Sequence, residues 1–145
     1  MSLTGFPFYR NISVAVDGAC IDKFEELKLR KTSKYIIYKL NDTKTQIVVD
    51  KSSTDSDYST FLEDLPEEDC RWAVYDFAYS TADGERNKIV FISWSPDNAP
   101  VRSKMTYSSS KDALRRAFNG VGAEIQGTDY AEVSHEALLD KVLRK

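Results

Sequence analysis

The sequence predicts an α+β fold, a mixed sheet covered by helices on both faces. Three observations predict it. The elements run helix, two strands, helix, two strands, long helix, strand, helix. Each strand pair reads as an antiparallel hairpin, whereas the last strand returns after a helical crossover, which mixes the sheet. Ile89 to Ile92 is apolar without alternation, the pattern of a strand buried on both faces.

The elements follow in chain order. Leu3 to Ile12 has no clean period and contains Gly5 and Pro7, so it reads as an irregular extension. The first helix is expected over Asp17 to Leu29, where Ile21, Phe24 and Leu27 recur at helical spacing. Lys34 to Leu40 is β-branched and aromatic, Asn41-Asp42 marks a turn, and Gln46 to Asp50 is the partner strand. A short helix capped by Asp55 or Ser56 carries Tyr58, Phe61, Leu62 and Leu65 on one side, and Pro66 stops it. Arg71 to Thr81 and Arg86 to Trp94 are strands joined through Asp83-Gly84. Pro96 and Pro100 bracket a loop. The longest helix, Val101 to Phe118, should turn Met105, Leu114, Ala117 and Phe118 to the core, with Ser108 to Ser110 loosening its middle. Asn119-Gly120 stops it. Glu124 to Gly127 is a short fifth strand, and Ser134 caps a last helix with Leu138, Leu139 and Val142 inward.

A chain of 145 residues suits one domain with a core that needs no disulfides or metals. Apolar residues at 41% and charged residues at 30% argue against wholesale disorder. No apolar run is long enough for an integral membrane protein, and Met1 to Arg10 lacks the pattern of a secretory signal. A net charge of −3 and a pI of about 5.2 argue against bulk nucleic-acid binding, although arrangement can still create a local basic surface. Cys20 and Cys70 lack CxxC spacing and read as reduced, buried thiols.

Catalytic chemistry finds little support. His135, the one histidine, sits in the first turn of the last helix with no metal-ligand spacing around it. There is no nucleophile elbow and no phosphate-cradling loop, and Glu67-Glu68-Asp69 reads as a solvated loop. No metal and no cofactor is called for. Only a titratable pair in a cleft would revive an enzyme.

The long helix is more specific. At 100° per residue, Lys104, Lys111 and Arg115 fall near one line, and Asp112 and Arg116 form an i, i+4 pair beside it. Such a helix can pack one face on a sheet and present a row of cations. The bland alternative is a solvated face laced with weak ion pairs.

The stretch WSPDNAPVRSKMTYSSSKDALRRAFNG, Trp94 to Gly120, closely resembles the signature region of the cofilin (actin-depolymerising factor) family. In register with it, LNDTKTQIVVDKSSTDSDYSTFLEDLPEEDCRWAVYDFAY, GERNKIVFISW and IQGTDYAEVSHEALLDKVLRK resemble the family's other segments. The resemblance runs from Val14 to Lys145 and is most like fungal members. It implies an ADF-homology fold, with four central strands and a short extra one between helices. Residues 14–145 would form this one domain, preceded by an atypical extension, residues 1–13.

The resemblance also implies a function. The chain would bind monomeric and filamentous actin as a monomer, prefer the ADP-bound form, sever filaments and speed subunit loss. Phosphoinositides would inhibit it by competing for the basic surface. It would work in the cytoplasm, on the actin cytoskeleton, and in the nucleus. The surface used for monomers and filaments would comprise Ser13, Val14, Arg102, Lys104, Met105, Lys111, Asp112, Arg115 and Arg116, with Val101 and Leu114 as further apolar candidates. A filament-specific surface would use Arg86, Lys88, Asp140, Lys141 and Arg144. Lys141 stands where many fungal relatives have arginine. Ser13-Val14-Ala15-Val16 stands where the family has Gly-Val-x-Val after a serine, and Leu3 to Ile12 precede it as an insertion. Ser2 and Ser13 are the candidates for the family's inhibitory phosphorylation. Two alternatives remain: a glia-maturation-factor type acting on a branch-nucleating complex, and a phosphoinositide-binding regulator.

Overall fold

The computed structural model describes residues 14–144. The extension 1–13, and with it Ser2 and Ser13, lies outside the described residues. Six strands form one sheet: β1 (Ala15–Val16), β2 (Tyr35–Leu40), β3 (Gln46–Ser53), β4 (Arg71–Thr81), β5 (Gly84–Trp94) and β6 (Val121–Gly127), in the order β1-β3-β2-β4-β5-β6. The middle pairings are antiparallel, while β1 runs parallel to β3 and β6 parallel to β5. The helices are α1 (Gly18–Arg30), α2 (Tyr58–Asp64), α3 (Val101–Ala117) and α4 (His135–Leu143), with a 3-10 turn at Tyr130–Val133. The mixed α+β class is the one the sequence predicts; the strand count is larger by β1.

Alternation along the strands builds two cores. Ile36, Tyr38, Trp72, Val74, Ile89 and Phe91 face α1 and α3, against Phe24, Leu27, Tyr107, Leu114 and Phe118. Tyr35, Ile37, Tyr75, Phe77, Val90, Ile92 and Trp94 face α2 and α4, against Phe61, Leu138 and Val142. Ile89 to Ile92 shows no polar alternation because each neighbour is buried in a different core.

Several boundaries move, each for a local reason. In α1 the buried stripe is Cys20, Phe24 and Leu27, with Ile21 half-buried. The α2 cap is Asp57, not Asp55 or Ser56: its carboxylate accepts from Ser59 N–H at 3.1 Å. Asp55 instead accepts from Asp57 N–H and Thr60 Oγ1, both at 2.9 Å. β6 starts three residues before the expected Glu124, because pairing with β5 extends to Val121. The hairpin register pairs Thr81 with Gly84, so Gly84, at φ +116°, already belongs to β5.

The α3 reading needs one larger correction. Met105 does not face the core; it is 67% exposed. Met105 and Leu114 stand nine positions apart, about 180° around a helix. With Leu114 buried, Met105 must point outward. Tyr107 and Ser110 occupy the inward stripe with Leu114. The serine run does not interrupt the helix. Ser109 and Ser110 donate to the Thr106 carbonyl at 3.0 and 2.8 Å, so their hydroxyls are satisfied within the helix.

Candidate binding surfaces

α3 is held by its inward face. Leu114 is fully buried, Tyr107 packs on Trp72 with ring centroids 4.5 Å apart, and the Tyr107 hydroxyl accepts from Leu40 N–H at 3.0 Å. That bond ties the helix to the end of β2. Among the described residues nothing packs over Val101 and Met105 on the opposite face. Val101 (70% exposed) and Met105 lie about 40° apart on it, flanked by exposed Arg102, Asp112 and Arg116. Two large, exposed apolar side chains on a rigid helix, ringed by charge, have the makeup of an interface centre. Leu114, the further apolar candidate, is core.

The predicted cation line behaves differently. Lys104, Lys111 and Arg115 sit half-buried on the flank of α3 that meets the sheet. Each is engaged within the molecule. Lys104 Nζ donates to the Asp97 carbonyl at 3.1 Å. Arg115 Nε donates to Glu124 of β6 at 2.5 Å, and Lys111 Nζ lies 3.9 Å from the same carboxylate. Glu124 was not singled out from sequence. The expected Asp112–Arg116 pair is not among the ion pairs formed by the described residues; both side chains stay in water, where such a pair gains little. Beneath this flank lies a groove of about 750 Å³ that Lys104, Lys111, Tyr107, Trp94 and Arg71 help to line.

Val14, half-buried, packs against the α1–α3 core beside β1, and β1 adjoins α3. Val14 therefore lies beside α3.

The second predicted group is also brought together. Arg86 and Lys88 point to the α4 side of β5, as alternation requires. Lys88 Nζ donates to the Val142 carbonyl at 3.1 Å, which joins the hairpin arm to the C-terminal end of α4 and satisfies a terminal carbonyl. Asp140 and Arg144 pair at 2.7 Å while both stay exposed, and Lys141 is exposed beside them. Ser134 caps α4 by accepting from Ala137 N–H at 3.1 Å.

Neither cysteine is poised for chemistry. Both are free and buried. Burial, then Asp17, pushes the Cys20 thiol up to about 12, and burial raises Cys70 as well. His135 is exposed, edge-on to the Tyr58 ring at 5.6 Å. Among the described residues no helix is long and apolar enough to cross a membrane.

Comparison with known proteins places this geometry. The family described as cofilin/tropomyosin-type actin-binding protein matches residues 13–143. A protein named cofilin from Schizosaccharomyces pombe is 61% identical over 132 residues, spanning 91% of this chain and 96% of the relative. A cofilin from Saccharomyces cerevisiae is 56% identical over 133 residues, spanning 90% of this chain and 93% of the relative. The crystal structure titled Streptomyces griseoflavus cofilin aligns with a TM-score of 0.87 at 54% identity, covering 91% of this chain and 98% of that one.

Proposed function

The chain belongs to the cofilin/tropomyosin-type actin-binding protein family, and from that premise we infer that it binds actin and promotes filament depolymerisation, regulating actin dynamics. This family is one of actin-binding proteins and not a known enzyme family. The alternative of a branch-complex regulator of the glia-maturation-factor type is not favoured, because relatives named cofilin match at 56–61% identity.

The exposed face of α3 carries the assignment of a site. Val101 and Met105 form the apolar centre, and Arg102, Asp112 and Arg116 form its charged rim. Rim cations steer docking toward acidic groups of the partner, while the desolvated centre supplies much of the affinity. Val14 joins this surface, and Ser13, outside the described residues, is assigned to it by the family resemblance alone. Lys104, Lys111 and Arg115 serve it from the flank, and Lys104 and Lys111 also face the groove, where an inhibitory phosphoinositide headgroup would meet them. Arg86, Lys88, Asp140, Lys141 and Arg144 form the filament-specific surface. Binding a twisted filament state better than an untwisted one shifts the filament toward the twist, and boundaries with bare filament become the severing points. The preference is for ADP-bound actin. Residues 14–145 act as one domain and as a monomer, in the cytoplasm and nucleus. Residues 1–13 are an appended segment whose Ser2, like Ser13, is a candidate for switching by phosphorylation.

The test is an Arg102→Ala/Met105→Ser variant in a monomer-binding titration and filament cosedimentation. Both side chains are exposed, so the melting temperature should hold within about 2 °C. Affinity for actin monomers should fall about tenfold or more, as loss of an interface centre implies. Unchanged affinity would remove α3 from the contact. A chain lacking Leu3 to Ile12, run in parallel, should pellet with filaments at least as well as the intact chain.

A further inference from the structure

The C-terminal end of α1 is a basic, partly apolar knob with no role in the assignment above. Leu29 is 71% exposed, and Arg30 and Lys31 beside it are exposed too. Leu27 is buried, so the residue two positions on points away from the core. Neither the Leu29 nor the Arg30 side chain makes a hydrogen bond or ion pair with the described residues.

Its position is fixed by Asp76. That buried carboxylate takes Lys31 Nζ at 3.1 Å and Asn87 Nδ2 at 2.8 Å. Lys31 comes from the end of α1 and Asn87 from β5, so one carboxylate ties the knob to the hairpin arm. A recess of about 260 Å³ lies between them, lined by Lys31, Lys34, Glu85 and Arg86. Lys28 Nζ donates to the Asn119 carbonyl at 3.0 Å, which brings the turn before β6 to the same end. Lys88 joins that end to α4, with Lys141 and Arg144. Of the acids there, Asp76 pairs with Lys31, Asp140 with Arg144 and Glu25 with Lys28, while Glu85 accepts from Ser80 Oγ at 2.7 Å and lines the recess. Arg30, Lys34 and Arg86 stand outside these pairs at the end of the sheet that carries Leu29, with Glu85 as an acid facing the same recess.

We propose that Leu29, Arg30 and Lys31 extend the filament-specific surface and dock on an acidic patch of the actin filament beside Arg86. The proposal rests on the assignment of Arg86 and Lys88 to filament binding, and it adds what that assignment lacks, an apolar anchor among the cations. Leu29 supplies desolvated area, Arg30 faces the partner's carboxylates, and Lys31 holds the knob in place through Asp76.

The experiment compares Leu29→Ser/Arg30→Glu with Arg86→Ala/Lys88→Ala in filament cosedimentation at two salt concentrations, with monomer binding measured alongside. Thermal melting confirms that the first variant folds. Filament affinity should fall about fivefold or more in both variants, more at low salt, with monomer affinity held within about twofold. If only the Arg86/Lys88 variant weakens, the knob plays no part and the proposal is overturned. If neither weakens, the assignment of Arg86 and Lys88 fails, and the proposal goes with it. Equal losses for monomers and filaments would refute a filament-specific role. Binding of the first variant to vesicles with and without phosphatidylinositol bisphosphate completes the test: a loss there with filament affinity intact assigns the knob to lipid and overturns the proposal.

Discussion

Glu124→Gln probes whether the α3 cations are available to a partner. In the free protein Glu124 holds Arg115 at 2.5 Å and stands 3.9 Å from Lys111. Arg115 Nη1 also donates to the Phe118 carbonyl at 3.4 Å, so the guanidinium is fixed at the end of the helix. The pair is roughly one-third exposed on both sides, 33% for Arg115 and 41% for Glu124, so screening limits its strength. A partly exposed pair of this kind stabilises by about 0.5–1 kcal/mol, and the longer Lys111 contact adds little. Glutamine keeps the shape and removes the charge. The melting temperature should fall by about 1–4 °C. If Arg115 must leave Glu124 to meet a carboxylate on actin, the same 0.5–1 kcal/mol opposes docking in the native chain. Its removal should tighten monomer binding about two- to fivefold. The gain should shrink as salt rises, since both the lost pair and the new one are screened. Titration of labelled actin monomers at low and moderate salt, beside a melting curve, reads both quantities. A lower melting temperature with unchanged or weaker binding would refute the reasoning and make Arg115 a strut that holds α3 against β6.

Gly127→Ala should destabilise by about 1–3 kcal/mol in thermal or urea unfolding, because a Cβ there would stand 2.5 Å from Val133 Cγ1. Leu114→Ala should cost about 2–5 kcal/mol by opening a cavity between α3 and the sheet, whereas Asp112→Ala should leave the unfolding midpoint unchanged and act on binding. Alkaline stability follows from the buried thiol. Burial raises Cys20 from 9.0 in the unfolded chain to about 12 in the fold, so the unfolded state loses its proton first. That contribution is fully present below pH 9 and is lost as pH rises toward 12. The urea midpoint should fall across that window and fall less in Cys20→Ala. Native Cys20 should resist alkylation at pH 8, and rapid labelling of the folded protein would contradict the burial.

What the sequence made legible depended on how local the cause was. β4 was read at its observed bounds, Arg71–Thr81, because aromatic and β-branched residues serve both cores along it. β1 was missed, since two residues carry no pattern and pairing with β3 alone makes them a strand. The first half of β6, Val121-Gly122-Ala123, has weak strand propensity; parallel pairing with β5 forms it, with the Lys88 stem lying over Gly122. Asp55, Ser56 and Asp57 can all cap a helix, and the choice among them depends on where Phe61 must enter the core. Met105 was a different kind of miss. Its half-turn offset from Leu114 was visible in the numbering, and Tyr107 was the inward residue that would have exposed it.

The binding surfaces divide along the same line. The type of residue was readable: cations on a long helix, a methionine among them, an arginine–lysine arm on a hairpin. Availability was not, because the groups that engage those cations lie across the fold. Arg115 meets Glu124 from the next strand, Lys88 meets a carbonyl 54 positions away, and Lys31 meets a carboxylate 45 positions away. A helical wheel placed Lys104, Lys111 and Arg115 on one line and could not tell that the line runs along the seam with the sheet. Arg102 and Arg116, off that line, are the α3 cations that pair with no side chain among the described residues. Free cations beside Val101 and Met105 can respond to a partner without first breaking an internal bond, while tied ones set the posture of the helix. The site is therefore better defined by which charges the fold leaves unspent than by which charges the sequence contains.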